Sequence, residues 1–395
     1  MPTLTEDLAG RLAELRAAGL HRDLRKIDGV RGTTIRHGGR DFLNFSSNDY
    51  LGLRDHPRLA ETASRALREW GTGSGASRLV CGSLAPHHLL EERLAAWKGT
   101  AAAIAFPTGY AAAIGTIPAL VGSDDIVVID RLVHACCIDA ARLSGARLRV
   151  YRHNDPGDLE RVLQWADGLG RARRPRVLVV TESVFSMDGD RAPLRALVEL
   201  KDRHGAWLMV DEAHAGGLLG ATRAGLVEAE GLAGRVEVQM GTLGKALGCE
   251  GGYIAGSLEL VDFLVNRARS FVFSTAPAPS IAAAAAESVE LVRTAEGSER
   301  ANRVWARASE LATALPAGPP GTPPASAILP WIVGPEQTAM DHAAALRAAG
   351  LFVPAIRFPT VARGAARLRF TVTANHTADD VARLVAAVNA LKANP

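Results

Sequence analysis

The chain is poor in sulfur, lysine and long apolar runs, and each shortage excludes something. Four cysteines stand in 395 residues: Cys81, Cys136, Cys137 and Cys249. None forms a Cys-x-x-Cys pair, so no disulfide framework and no metal knuckle are expected, and a reducing, cytoplasmic compartment is. Only five of the 45 basic residues are lysines: Lys26, Lys98, Lys201, Lys245 and Lys392. The net charge is +3 and no basic block exists, so nucleic acid is not an expected partner. The 25 residues between Lys98 and Asp124 carry no charge, but Pro107, Gly109, Gly115 and Pro118 interrupt them. A strand, a turn and a helix are expected there, not a membrane span. The N-terminus is charged and amphipathic, unlike a signal peptide. Apolar residues at 48 % and charged residues at 22 % fit a globular chain of two or three domains at roughly 100–200 residues each.

Periodicity organises the rest. Residues 5–27 read as a helix with Leu8, Leu12, Leu15 and Leu20 on one side, and DFLNFSSNDYLGL (41–53) as a short strand and turn. From about 60 to 290, helical patterns separate apolar runs: AAAIAF (101–106), DIVVID (125–130), RLRVYR (147–152), RVLVVTES (176–183), AWLMVDEA (206–213), VEVQM (236–240) and GGYIAG (251–256). Such alternation predicts an α/β fold with a mainly parallel sheet covered by helices. Ligands then sit at the carboxyl ends of the strands. A helix over 280–314 leads to the Pro/Gly-rich stretch LPAGPPGTPPAS (315–326), read as a surface loop. Next come AILPWIVG (327–334), a helix at 342–350, a strand near 351–357, RLRFTVT (367–373) and a last helix at 377–392. The division expected is a helical arm over 1–45, a large domain over 46–290 and a smaller α+β domain over 291–395.

The polar residues just past the apolar runs carry the chemistry. Lys245 lies in GTLGKALG (241–248), beyond VEVQM. This chain writes most basic positions as arginine, which neither deprotonates nor forms a Schiff base, whereas an amine does both. A solvated loop lysine is the bland alternative. Asp211, in VDEAHAGGLLG, ends a strand where a carboxylate can keep a pyridinium protonated, and His214 follows three residues on. The alternative there is a helix-capping Asp with a surface His; the helicase reading of D-E-A-H fails because no phosphate-binding G-x-x-x-x-G-K-[ST] loop exists. In FPTGYAAA, the amides of Gly109 and Tyr110 open a helix and can hold a phosphate. His134, in RLVHACCIDA, can stack on a planar ring or merely cap its helix. Ser186 and Thr242 offer hydroxyls.

Long segments together resemble one family, the α-oxoamine synthases among the fold-type-I pyridoxal-phosphate enzymes. They are NFSSNDYLGL (44–53), GTGSGASRLVCGS (71–83), SVFSMDGDRAPL (183–194), DEAH (211–214), TLGKALG (242–248), GGYIAG (251–256), RARSFVFSTAPAP (267–279) and IRFPTVARGAARLRFTVTANHT (356–377). The resemblance implies a large pyridoxal-phosphate-binding domain, a small C-terminal domain and a homodimer with shared active sites. It implies that Lys245 binds the cofactor covalently, Asp211 pairs with its ring nitrogen, His134 stacks on the ring and His214 bonds the ring oxygen. Ser186, Thr242, Gly109 and Tyr110 would complete that site, with Thr275 reaching the neighbouring subunit's phosphate. Arg369 would hold the amino-acid carboxylate, with Arg357 and Asn48 nearby; Thr360 and Arg22 would contact the acyl substrate. Arg363 and Arg367 are read as a solvated basic edge.

Within the family, SMDGDRAPL and the last segment look most like the biotin-pathway branch, which joins L-alanine to a pimeloyl thioester carried by coenzyme A or a carrier protein, with no metal. Glycine-using relatives and serine palmitoyltransferase share most of these motifs and remain alternatives. An aminotransferase or lyase on the same fold is disfavoured by 267–279 and 356–377, and a non-catalytic partner subunit by the presence of Lys245. Four places depart from the usual pattern. Ala113 stands for Asn, Phe358 for Pro, Ala215-Gly216 for Gly-Thr and Cys136-Cys137 for Ser-Leu.

Overall fold

Fully apolar strands need cover on both faces, and the computed structural model, which describes residues 1–169, 174–315 and 323–393, builds the chain around one such sheet. Three short strands come first: β1 (Gly29–Arg31), β2 (Thr34–His37) and β3 (Arg40–Asn44). The central strands follow: β4 (Ala102–Phe106), β5 (Ile126–Asp130), β6 (Arg147–Tyr151), β7 (Val177–Glu182), β8 (Trp207–Asp211), β9 (Val238–Thr242) and β10 (Gly252–Gly256). They pair in the order β4-β10-β9-β8-β7-β5-β6. Only β10 runs against its neighbours β4 and β9. Strands β5, β7 and β10 are buried along their whole length. Edge strand β6 is largely exposed, and its Arg147 and Arg149 stack on Trp165 instead.

The C-terminal part adds β11 (Ile328–Gly334), β12 (Leu351–Phe352), β13 (Ala355–Ile356) and β14 (Ala366–Thr371). Strands β11, β14 and β13 form an antiparallel sheet, while β12 joins β3 in parallel and completes a second small sheet, β1-β2-β3-β12. The N-terminal strands are thereby tied to the C-terminal part of the chain.

Several expectations change. The first helix runs only over Leu4–Ala17, buries none of its residues, and gives way at Gly19, whose φ of +65° a helix cannot continue. Past the helix, residues 29–44 hold the strands β1 to β3, of which β3 overlaps the strand expected from 41 and the other two were not expected. The helix expected over 280–314 is two, Pro279–Arg293 and Ala295–Ala312, divided at Thr294, which is extended and caps the second with its side chain. The helix placed at 342–350 starts earlier and spans Glu336–Ala348. Most of the Pro/Gly-rich stretch at 315–326 lies outside the described residues. No helix among the described residues is long and apolar enough to cross a membrane.

One buried ion pair fixes the edge where β8 ends. Lys98 Nζ bonds Glu212 Oε2, and both side chains are almost wholly buried. Lys98 also donates to the Ala224 carbonyl at 2.5 Å, and Glu212 Oε1 accepts the Val227 amide at 2.9 Å. Removing one member of such a pair strands a charge in the interior at a cost of about 3–5 kcal/mol. Lys98→Met is therefore expected to lose that much in equilibrium urea unfolding, and Lys98→Met/Glu212→Gln to recover part of it. A loss below about 1 kcal/mol in the single variant contradicts the buried pair.

Candidate active site

Parallel strands end on the same edge, and here the edge collects charge. Glu182 and Asp211 end β7 and β8 as register partners, and Met240 of β9 lies beside Asp211. Asp211 is buried and accepts the Ala213 amide at 2.9 Å. Glu182 is buried too. Its Oε2 accepts the Ser186 amide at 3.1 Å, while Oε1 has no partner among the described residues. Burial, reinforced by the Asp211 charge, pushes the Glu182 carboxyl up to about 8.

Lys245 enters this edge from the turn after β9. That turn is closed by backbone bonds from Leu243 to Gly251 (2.9 Å), Cys249 to Leu243 (2.8 Å) and Gly248 to Lys245 (2.9 Å). Lys245 Nζ lies 2.9 Å from His214 Nε2, and His214 Nδ1 lies 2.7 Å from the Tyr50 hydroxyl. Burial holds the His214 imidazole well below its ordinary value, with the Lys245 charge adding to the effect. A neutral ring carries one N–H, so His214 donates to one of these neighbours and accepts from the other. When Lys245 is an ammonium it donates to Nε2, and His214 donates through Nδ1 to Tyr50. Burial lowers the Lys245 amine, and Asp211 and Glu182 partly oppose that shift.

Free amides and a hydroxyl gather where β4 passes into its helix. Thr108 caps the helix Gly109–Leu120 by accepting the Ala111 amide at 3.0 Å. The first amides of the helix, Gly109 and Tyr110, are left without intrahelical acceptors. A Cβ on Gly109 would come within 2.6 Å of Thr242 Cγ2, so only glycine permits this approach. Thr242 Oγ1 is buried with no partner among the described residues. The Tyr110 ring is exposed and its hydroxyl donates to Asp139 at 2.8 Å.

His134 caps the helix Ala135–Leu143, accepting the Cys136 amide at 3.2 Å, and its exposed ring is free to meet a ligand. It also lies 3.0 Å from Cys136 Sγ. That contact raises the His134 imidazole, and the Cys136 thiol falls to about 6, through its bond with Cys137 first and with His134 second.

The C-terminal part of the chain reaches in with Arg369. This buried guanidinium donates through Nε to the Ser186 carbonyl at 2.5 Å and through both terminal nitrogens to Asn48 Oδ1 at 3.3 and 3.2 Å. Those partners are neutral, and it has no carboxylate in salt-bridge range among the described residues. Arg367 was expected in solvent. It is buried, and pairs with Asp188 at 2.6 Å. Arg363 is exposed as expected and stacks on Phe358.

Other expected residues gather elsewhere. Arg22 donates to Thr360 Oγ1 at 3.2 Å. Arg357 bonds the carbonyls of Gly19 and His21. These residues line a groove of about 600 Å³ together with Arg25 and Arg347. Thr275 is exposed and pairs by a backbone bridge with Ser77. None of these bonds leads to Lys245. Tyr50 and Glu182 were not expected at this edge. Tyr50 lies in NFSSNDYLGL, and Glu182 obeys the same rule as Asp211, a polar residue at the end of an apolar run.

Residues 40–388 match the model of the family "Aminotransferase class I and II". The chain belongs to that family. It is 47 % identical to the 8-amino-7-oxononanoate synthase of Geobacter sulfurreducens, covering 98 % of this chain and 97 % of that one. The enzyme of the same name from Anaeromyxobacter dehalogenans is 49 % identical, over 97 % and 95 %. Serine palmitoyltransferase from S. paucimobilis, solved with bound PLP-myriocin, superposes with a TM-score of 0.91 at 30 % identity, over 100 % of this chain and 99 % of that one. An 8-amino-7-oxononanoate synthase structure from Francisella tularensis, 24 % identical with a TM-score of 0.74 over 89 % and 98 %, shares the fold.

A pyridoxal phosphate fits the residues present: an unpartnered Thr242 hydroxyl beside free helix amides, a carboxylate at Asp211 and an amine at Lys245 that burial predisposes to neutrality. The lowered amine has a measurable consequence. A lower pKa means more neutral amine at a given pH, so covalent loading of the cofactor-free protein, followed by absorbance, should reach half its maximal rate below the 10.5 of a free lysine. A midpoint at the free-lysine value contradicts the burial of this amine.

Proposed function

We propose that the chain joins L-alanine to a pimeloyl thioester with loss of CO2, giving 8-amino-7-oxononanoate for biotin synthesis. The thioester is pimeloyl-CoA or a pimeloyl-carrier protein. The observation that carries this reading is the buried Arg369 with only neutral partners, on the same edge as an amine lowered by burial. A guanidinium in that state suits a carboxylate, which its planar fork binds in a bidentate manner. The full-length relatives named above bear the name of this reaction.

Bound pyridoxal phosphate supplies an electron-poor ring that stabilises negative charge at the amino acid's Cα. Lys245 would be its covalent anchor, Asp211 would pair with the ring nitrogen, His134 with the ring face and His214 with the ring oxygen. Ser186, Thr242 and the amides of Gly109 and Tyr110 would hold the rest of it. Arg369 and Asn48 hold the alanine carboxylate. The released Lys245 amine takes the Cα proton, and Tyr50 and His214 fix the position of that amine. Cα then forms a bond to the thioester carbonyl carbon, the C–S bond breaks and the thiol leaves. The carboxylate departs as CO2 and a proton returns to Cα. Arg22 and Thr360 face the acyl chain, and Arg357, expected beside the carboxylate, lines the same groove as these two.

The active form is a homodimer in which Thr275 of a second copy completes the phosphate site. Two features support this: Thr275 is exposed in the single chain, and so are Leu8, Leu12 and Leu15 along the first helix. Mixing a Lys245→Ala chain with a Thr275→Ala chain is expected to regain activity that neither shows alone. Failure to complement, or a fully active monomer in light scattering, contradicts the shared site.

The substrate assignment is tested by thiol release over a grid of alanine, glycine and serine against pimeloyl, acetyl and palmitoyl thioesters. Alanine with the pimeloyl thioester is expected to exceed every other pair. Arg369→Lys should weaken alanine roughly ten- to a hundredfold, equivalent to about 1.5–3 kcal/mol, and leave cofactor absorbance and the thioester KM near normal. Unchanged alanine affinity removes Arg369 from the carboxylate role.

A further inference from the structure

Two buried thiols have no part in this reaction. Cys136 and Cys137 lie in the first turn of the helix Ala135–Leu143, 1 % and 0 % exposed. Their sulfurs are 3.9 Å apart. Together with a carboxylate oxygen of Asp211, all three atoms lie within 4.8 Å of one another. Two thiolates on one tetrahedral zinc-class ion, each at about 2.3 Å, stand about 3.8 Å apart. The sulfur spacing therefore already matches a shared metal. The Ser-Leu pair usual at these positions offers no sulfur ligand.

We propose that Cys136, Cys137 and Asp211 form a binding site for a thiophilic divalent cation of the zinc class, and that cation and cofactor exclude each other. Binding forms two metal–sulfur bonds and one metal–oxygen bond and releases to solvent any proton that the thiols still carry. Water takes the fourth position, as at sites with three protein ligands. Exclusion follows from the carboxylate. Asp211 already accepts the Ala213 amide at 2.9 Å and would give a further oxygen contact to the metal, so the metal competes directly with the cofactor's ring nitrogen for it; this exclusion rests on the role proposed for Asp211. The site is thus a metal-sensitive brake on cofactor loading.

The probe is Cd2+, whose bonds to thiolates absorb in the near ultraviolet. It is added to full-length protein freed of cofactor by dialysis against hydroxylamine, in a Cys81→Ser background that removes the exposed thiol. The expected result is one Cd2+ per chain with a thiolate band, and loss of that band in Cys136→Ser and in Cys136→Ser/Cys137→Ala. Both variants should still regain cofactor absorbance, which shows that they fold. With Cd2+ bound, recovery of that absorbance should slow at least tenfold, and a chelator should restore it. The absence of a thiolate band, or a band that survives in the double variant, overturns the site. A protein that carries Cd2+ and cofactor together overturns the exclusion. None of these readings uses turnover, so an error in the substrate assignment leaves them unchanged.

Discussion

The register between β7 and β8 is the constraint on which the site depends. It sets Glu182 against Asp211 at the sheet's carboxyl edge, both buried. Two carboxyls in a dry interior repel, and the protein resolves this by making Glu182 hard to ionise. Lys245 arrives from the next strand's turn and meets Asp211, a neutral His214 and the positive Arg369. Burial gives each of these interactions more weight than it would have in water.

Two layers of contact keep the edge rigid. Beneath it, Glu212 follows Asp211 directly and is locked by Lys98 and the Val227 amide, so the turn carrying Asp211 and His214 hangs from a buried ion pair. Above it, β14 aims Arg367 at Asp188 and Arg369 at the Ser186 carbonyl. Alternation puts both arginines on one face of the strand. The C-terminal part of the chain thus grips the turn after β7 at two points.

Much of this was legible because the signal was local. Lys245 stood out as a rare lysine in a glycine-rich turn after an apolar run, and Asp211 as the polar end of another. The family and its α/β fold followed from contiguous motifs. What stayed hidden was non-local. No periodicity announces that Arg367 will find Asp188 across 179 residues, so it read as solvated. Tyr50 and His214 meet across 164 residues. Strands β1 to β3 are short and rich in arginine and histidine, and they become strands through pairing with one another and with β12. Capping was legible only in part: Thr294 ends one helix and starts the next inside a pattern that looked continuous.

The proposed reaction makes a carbon–carbon bond at Cα on this edge and then expels the carboxylate assigned to Arg369. The most direct measurement follows a carbon label placed in the carboxyl group of L-alanine during turnover with a pimeloyl thioester. Labelled CO2 is expected in equal amount to released thiol, with an amino ketone free of label. Label retained in the product, or thiol released without CO2, contradicts it.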